Sequence, residues 1–200
     1  MRALALILAF AQGVVYAPNA PPLTRSGGGA PGAATVQLLE PEDVLWTTRV
    51  GVVVVPGNTL VKVHVDGWDN AGAVSMQQLA SGDGYVEIVA SETGTGRAFG
   101  LSNGNAGISL EEIAFGIAIL GDGTGIHIFE SGEERLYAGY PTGYTTGDRL
   151  RVAVEGGAVT YRHNGVLLYT SLVAPTYPIL VDTSLYHQGA TIAAAVISNW

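Results

Sequence analysis

GDRLRVAVEGGAVTYRHNGVLLYTS, Gly147–Ser171, holds three alternating runs separated by two glycine-bearing reversals. Arg149–Glu155 sets Leu150, Val152 and Val154 on one side of the chain, which is the two-residue period of a half-buried strand. Gly156-Gly157 turns the chain, Ala158–His163 alternates again, and Asn164-Gly165 supplies the positive φ angles of a tight hairpin before Val166–Thr170. The stretch predicts three antiparallel strands in a meander.

Outward from this meander, short β-branched and aromatic runs recur between Gly, Asn, Asp and Pro clusters. They include VGVVVV, TLVKVHV, YVEIVA, EIAFGIAIL, GIHIFE, YPILVDTSL and TIAAAVIS. Many short strands with turn residues between them predict an all-β antiparallel sandwich. Leu110–Ile113 reads as a short turn before a buried strand at Ala114–Leu120, and no long amphipathic helix is present in the pattern.

The meander resembles the hairpin of SPRY-like and concanavalin-A-like jelly rolls. Upstream, GWDNAGAVSMQQLASGDGYVEIVASE and RAFGLSNGN, followed by YPILVDTSLYHQGATIAAAVI, are similar to jelly-roll modules attached to bacterial surface and secreted proteins. The resemblance covers most of Trp46–Ile197. It implies an antiparallel jelly-roll (concanavalin-A-like) sandwich, an architecture that hosts lectins, glycosidases, peptide binders and inert structural modules.

Composition excludes several functions. A net charge of -8 is opposite to the basic stripe that a phosphate backbone demands, so nucleic acid is not an expected partner. With no cysteine there are neither disulfides nor thiolate metal sites, and His64, His127, His163 and His187 stand far apart in sequence. Asp66, Asp69, Asp83 and Asp122 are scattered over Gly-rich turns, where Asp-Gly is ordinary turn chemistry, so neither a metal nor another cofactor is expected. No nucleophile elbow, P-loop or HExxH motif occurs. The paired carboxylates Glu111-Glu112 and Glu133-Glu134 are adjacent, and adjacent side chains in extended structure diverge, so catalysis is not expected.

Sugar binding draws on aromatic rings for the apolar faces of a pyranose and on Asp or Asn for its hydroxyls. AGYPTGYTTG places Tyr140 and Tyr144 in a loop with Tyr137 nearby, and GWDNAG adds Trp68, Asp69 and Asn70. The candidate sugar-binding residues are therefore Trp68, Asp69, Tyr140 and Tyr144. Turn aromatics also lid the ends of sandwich cores, a structural role that needs no ligand.

The first ten residues, MRALALILAF, set Leu4, Leu6, Leu8 and Phe10 on one face of a strand-like arm, which Val14 and Tyr16 continue. Such a ribbon leaves about 1.5–3 kcal/mol of apolar side chain unburied at each large position unless it inserts into a sheet. The Pro/Gly/Ala-rich linker Pro18–Thr35 extends to roughly 60 Å at about 3.3 Å per residue, enough to reach a second copy. Only 13% of the residues are charged, in keeping with a surface partly covered by other copies. The same seventeen residues also fit a secretory signal ending at Val15-Tyr16-Ala17, and a third alternative folds the arm back on its own body.

The sequence thus divides into an arm or signal peptide at 1–17, a linker at 18–35 and a sandwich at 36–200. The leading expectation is an extracellular filament subunit that polymerises head-to-tail by donating its N-terminal strand to a neighbouring copy. The alternative is a secreted lectin-like module whose partners are glycans. Neither calls for a membrane in the mature form.

Overall fold

The structure is a computed structural model that describes residues 40–121, 125–137 and 143–199. Strands are numbered β1 to β15 in chain order. One sheet runs, side by side, β13 (Val166–Thr170), β12 (Ala158–His163), β11 (Arg149–Glu155), β6 (Gly84–Val89), β15 (Thr191–Asn199), β4 (Thr59–Lys62) and β3 (Val52–Val55), with β1 (Glu42–Asp43) against β15. The other runs β10 (Glu133–Tyr137), β9 (Gly125–Glu130), β8 (Phe115–Leu120), β7 (Arg97–Ser102), β14 (Ile179–Leu185), β5 (Gly72–Leu79) and β2 (Trp46–Val50). All pairings are antiparallel. Among the described residues, helix is confined to two three-residue 3-10 turns, Trp68–Asn70 and Leu110–Glu112, and no helix is long and apolar enough to cross a membrane.

The two sheets meet over one core. Alternate positions point inward, so Leu150, Val152 and Val154 of β11 share the interior with Phe99 and Leu101 of β7 and with Ile117 and Ile119 of β8. The meander forms with the expected register, Val152 opposite Tyr161 and Tyr161 opposite Tyr169. Its second turn depends on Asn164 and Gly165 at φ +50° and +79°, a region that Asn tolerates better than most residues and that glycine enters freely.

Two strand runs read as continuous are broken in the structure. VGVVVV divides at Gly51, φ +61°, where the chain passes from β2 in one sheet to β3 in the other and a Cβ would lie 2.3 Å from the Asn70 carbonyl oxygen. TLVKVHV stops as a strand at Lys62, and Val63–Val65 continue as an exposed bend. The outer face of β7 and β8 is also covered, because Leu110 and Ile113 of the preceding turn pack on Ala98 and Ala118. Central strands buried on both faces lose the clean alternation that marks a half-exposed strand, which is why RAFGLS reads weakly as a strand although every residue of β7 is buried.

The arm residues Leu4, Leu6, Leu8, Phe10, Val14 and Tyr16, the Pro18–Thr35 linker and Tyr140 lie outside the described residues.

Candidate functional site

At one end of the second sheet, where β8 and β14 finish and β5 and β7 begin, Trp68, Tyr186, His187, Gly96, Leu120 and Gly121 line a cleft of about 180 Å³. Trp68 and Tyr186 are partly buried, with ring centroids 5.4 Å apart and planes inclined at 55°. The imidazole of His187 meets Tyr186 edge-on at 4.7 Å. Glycine shapes the floor: a Cβ on Gly121 would stand 2.7 Å from the Gly94 carbonyl oxygen, and one on Gly96 would press to 3.3 Å on both His187 and Tyr186.

Short loops hold the rings. Gly67, at φ +145°, precedes the Trp68 turn and donates its N–H to the Tyr186 carbonyl at 2.9 Å. Ser184 Oγ lies 2.9 Å from the Trp68 carbonyl, and Tyr186 N–H donates to the Gly96 carbonyl at 2.9 Å. Beneath both loops is Lys62, only 1% exposed, whose Nζ lies 2.6 Å from the Gly67 carbonyl, 2.6 Å from Asn70 Oδ1, 2.8 Å from the Leu185 carbonyl and 2.6 Å from the Tyr186 carbonyl. Burial pulls the amine below the ordinary lysine range, and the charge of Asp66 opposes that shift. An ammonium offers three protons to these four acceptors where a neutral amine offers two, so the cage favours the charged form.

Among the sequence-derived candidates, Trp68 lines the cleft, and Asp69 is exposed beside it without forming part of the lining. Asn70 is occupied, accepting from Lys62 and donating Nδ2 to the Val65 carbonyl at 3.1 Å. Tyr144 requires correction: it is 7% exposed, part of the main core, and its hydroxyl donates to the Thr93 carbonyl at 3.2 Å. Its ring lies 5.8 Å from the guanidinium carbon of the fully buried Arg97, so it lids the sandwich end and has no free face for a sugar.

Arg97 in turn organises the loop that delivers Gly96. It donates to the carbonyls of Glu92 and Thr95 at 2.8 and 2.9 Å and pairs with the Glu92 carboxylate at 3.3 Å. Burial pushes the Glu92 carboxyl up, but hydrogen bonds from Ser91, Thr191 and Thr95 together with the Arg97 charge hold it below its ordinary range.

A larger cavity, about 300 Å³, opens at the opposite end of the same sheet between Asn103, Phe115, Glu130, Ser131, Arg135 and Val173. Its charged groups are already engaged with one another. Glu130, 3% exposed, accepts from Tyr161 Oη at 3.0 Å and Arg135 Nε at 3.2 Å, and Arg135 Nη1 reaches Glu133 at 2.9 Å. Asn103 donates to the carbonyls of Thr176 and Pro178. The one aromatic side chain in that lining, Phe115, is 5% exposed.

Asp182, on the outer face of β14, is 4% exposed, and burial raises its carboxyl to about 6 against the hydrogen bonds of Ser102 and Thr183. A raised carboxyl suits general acid chemistry when it faces a cleft. Neither cavity includes it. Among the described residues, no cluster of three His, Asp or Glu side chains is arranged to hold a metal ion.

The structure assembles its cleft from Tyr186 and His187, which the sequence offered only as a Tyr-His pair after a strand. Lys62 carried a clearer signal: it is the sole lysine of the chain and stands inside an apolar run.

These features define an antiparallel jelly-roll sandwich of the concanavalin-A-like and SPRY-like type. A human SPRY domain is similar at a TM-score of 0.54 with 16% identity, covering 76% of this chain and 97% of its own. The TRIM65 PSpry domain gives 0.52 with 14% identity over 82% and 93%. The Emp47p carbohydrate recognition domain gives 0.50 with 9% identity over 84% and 99%. No family model and no curated protein sequence matches the chain.

Proposed function

We propose that the sandwich is a glycan-binding module, non-catalytic, whose site is the cleft of Trp68, Tyr186 and His187. One observation carries the reading: two partly exposed aromatic rings converge at 5.4 Å on a cleft whose remaining polar side chain is an imidazole. Aromatic faces cover the apolar side of a sugar, and the imidazole supplies a hydrogen bond to a hydroxyl. At about 180 Å³ the cleft is smaller than the roughly 300–1,000 Å³ of drug-sized pockets and suits a single sugar ring, a chain terminus rather than a polymer segment. The similarity in fold to a carbohydrate recognition domain supports the class of ligand. The larger cavity is less suited, because its carboxylates and guanidinium pair with one another and its amide is taken up by two main-chain carbonyls. A glycan-array screen followed by Trp68→Ala and Tyr186→Ala tests the reading: binding that disappears in both variants supports it, and binding that survives in both removes it.

Self-assembly by strand addition is a second reading with one observation in its favour. β3 ends its sheet, no described strand pairs with its outer side, and Val53, Val54 and Val55 are 41%, 39% and 37% exposed. A bare valine edge accepts an extended apolar segment through main-chain hydrogen bonds, and the sequence Leu4–Phe10 of another copy is apolar enough to be that segment. Val53→Lys with Val55→Lys prevents filaments in negative-stain images under this reading; filaments that persist in the double variant count against it.

A further inference from the structure

Lys62 Nζ lies within 2.8 Å of four oxygens, and none of them belongs to a carboxylate. Three are main-chain carbonyls and the fourth is an amide oxygen, the ligand set that ordinarily surrounds a bound hard cation. The four also come from two separate pieces of chain. Gly67 and Asn70 bracket the turn bearing Trp68, while Leu185 ends β14 and Tyr186, the next residue, carries the second ring. A converging set of carbonyl dipoles repels itself unless a positive charge stands at its centre. Without the ammonium these oxygens would each lose a donor in a site that water does not reach, since the lysine is 1% exposed, although the Tyr186 carbonyl keeps the Gly67 N–H.

We propose that Lys62 is a positioning residue: its ammonium is a tethered cation filling a four-oxygen cage, and that cage sets the spacing of Trp68 and Tyr186. The cage is therefore a cation-binding site for primary ammonium ions, occupied in this chain by its own side chain. The sugar-binding consequence rests on the function proposed above; the cage and the ring spacing do not.

Lys62→Ala removes Cγ, Cδ, Cε and Nζ, which together have the skeleton of n-propylammonium, so that ion is the natural replacement. NMR cross-peaks between the Trp68 and Tyr186 rings report the spacing without any glycan. They are expected to vanish in Lys62→Ala, to return saturably with n-propylammonium chloride, and to stay absent in tetramethylammonium chloride, which adds equal ionic strength but has no N–H to donate. Cross-peaks unchanged by the substitution, or restored equally by both salts, overturn the proposal. If Lys62→Ala does not fold in either salt, Asn70→Ala decides: loss of the Trp68–Tyr186 cross-peaks with the Asn164-Gly165 hairpin signals intact supports the cage, and retained ring cross-peaks overturn it. For the glycan found by array, affinity should fall at least tenfold in Lys62→Ala and recover with n-propylammonium. Restored ring contacts in a protein that binds no glycan in any form would leave the cage standing and remove the sugar-binding reading.

Discussion

The backbone N–H of Gly96 donates to Nδ1 of His187 across 2.6 Å. An imidazole nitrogen that accepts carries no proton, so in the neutral ring the proton resides on Nε2 and that nitrogen is a donor. The hydrogen bond thus selects the tautomer that can serve a sugar hydroxyl in the cleft. His187→Ala is expected to weaken glycan binding roughly five- to tenfold, the worth of one hydrogen bond near 1 kcal/mol, with a change of similar size in folding stability. Titration calorimetry alongside urea unfolding measures both; full-strength binding by the variant would exclude the imidazole from the site.

Arg97 is the buried cation of the Gly96 loop. Replacing it by Met strands the Glu92 carboxylate and two carbonyls, at a cost of about 2–3 kcal/mol. The low end of the usual range for such a loss applies because Glu92 keeps its hydroxyl partners. The urea midpoint of Arg97→Met should fall accordingly, and the double variant with Glu92→Gln should recover part of the loss.

Asp182 gives stability a pH dependence of unusual sign. Its folded-state carboxyl titrates near 6 and its unfolded one near 3.8, so between these values the folded chain holds the proton that the unfolded chain has released. Its contribution therefore falls as pH rises from about 4 to 6, by about 3 kcal/mol from a shift of about two units. Asp182→Asn should lack this decline, so the stability difference between variant and parent should move in the variant's favour across that window. A difference that stays constant from pH 4 to 7 would contradict the account.

Asp148 behaves in the opposite way at lower pH. The Asn164 side chain, donating at 2.8 Å, is the leading cause that holds the Asp148 carboxyl at about 2, and the Thr145 N–H adds to it. A depressed acid stabilises the fold above its unfolded value near 3.8, and that gain is lost as pH falls toward 2. Asn164→Ala should reduce this acid-side loss and cost about 1–2 kcal/mol at neutral pH, through lost hydrogen bonds and an alanine placed at φ +50°. Asn164→Gly should be less harmful because glycine accepts that φ; denaturant midpoints at pH 7 and pH 3 give the comparison.

The jelly roll was legible because Gly147–Ser171 states its own turns and because both sheets bury aliphatic rows at a period of two. β7 was harder to read, since its cover by Leu110 and Ile113 erases the polar half of the alternation. Trp68 could be singled out as an aromatic in a Gly-rich turn. Its partner could not, because Tyr186 lies more than a hundred residues away and reaches it only after β14 pairs beside β5. Tyr144 misled for the same reason in reverse: a tyrosine among Gly and Thr reads as exposed, and only the fold places it over Arg97. Lys62 shows what composition alone can reveal, since a solitary lysine in an apolar run has to find acceptors wherever the chain ends up.

The most direct measurement is a glycan titration followed by amide and side-chain NMR on the intact chain. The account predicts saturable shifts concentrated on Trp68, Gly96, Tyr186 and His187, including the Trp68 indole N–H. Shifts gathered instead around Glu130, Ser131 and Arg135, or none with any glycan, would contradict it.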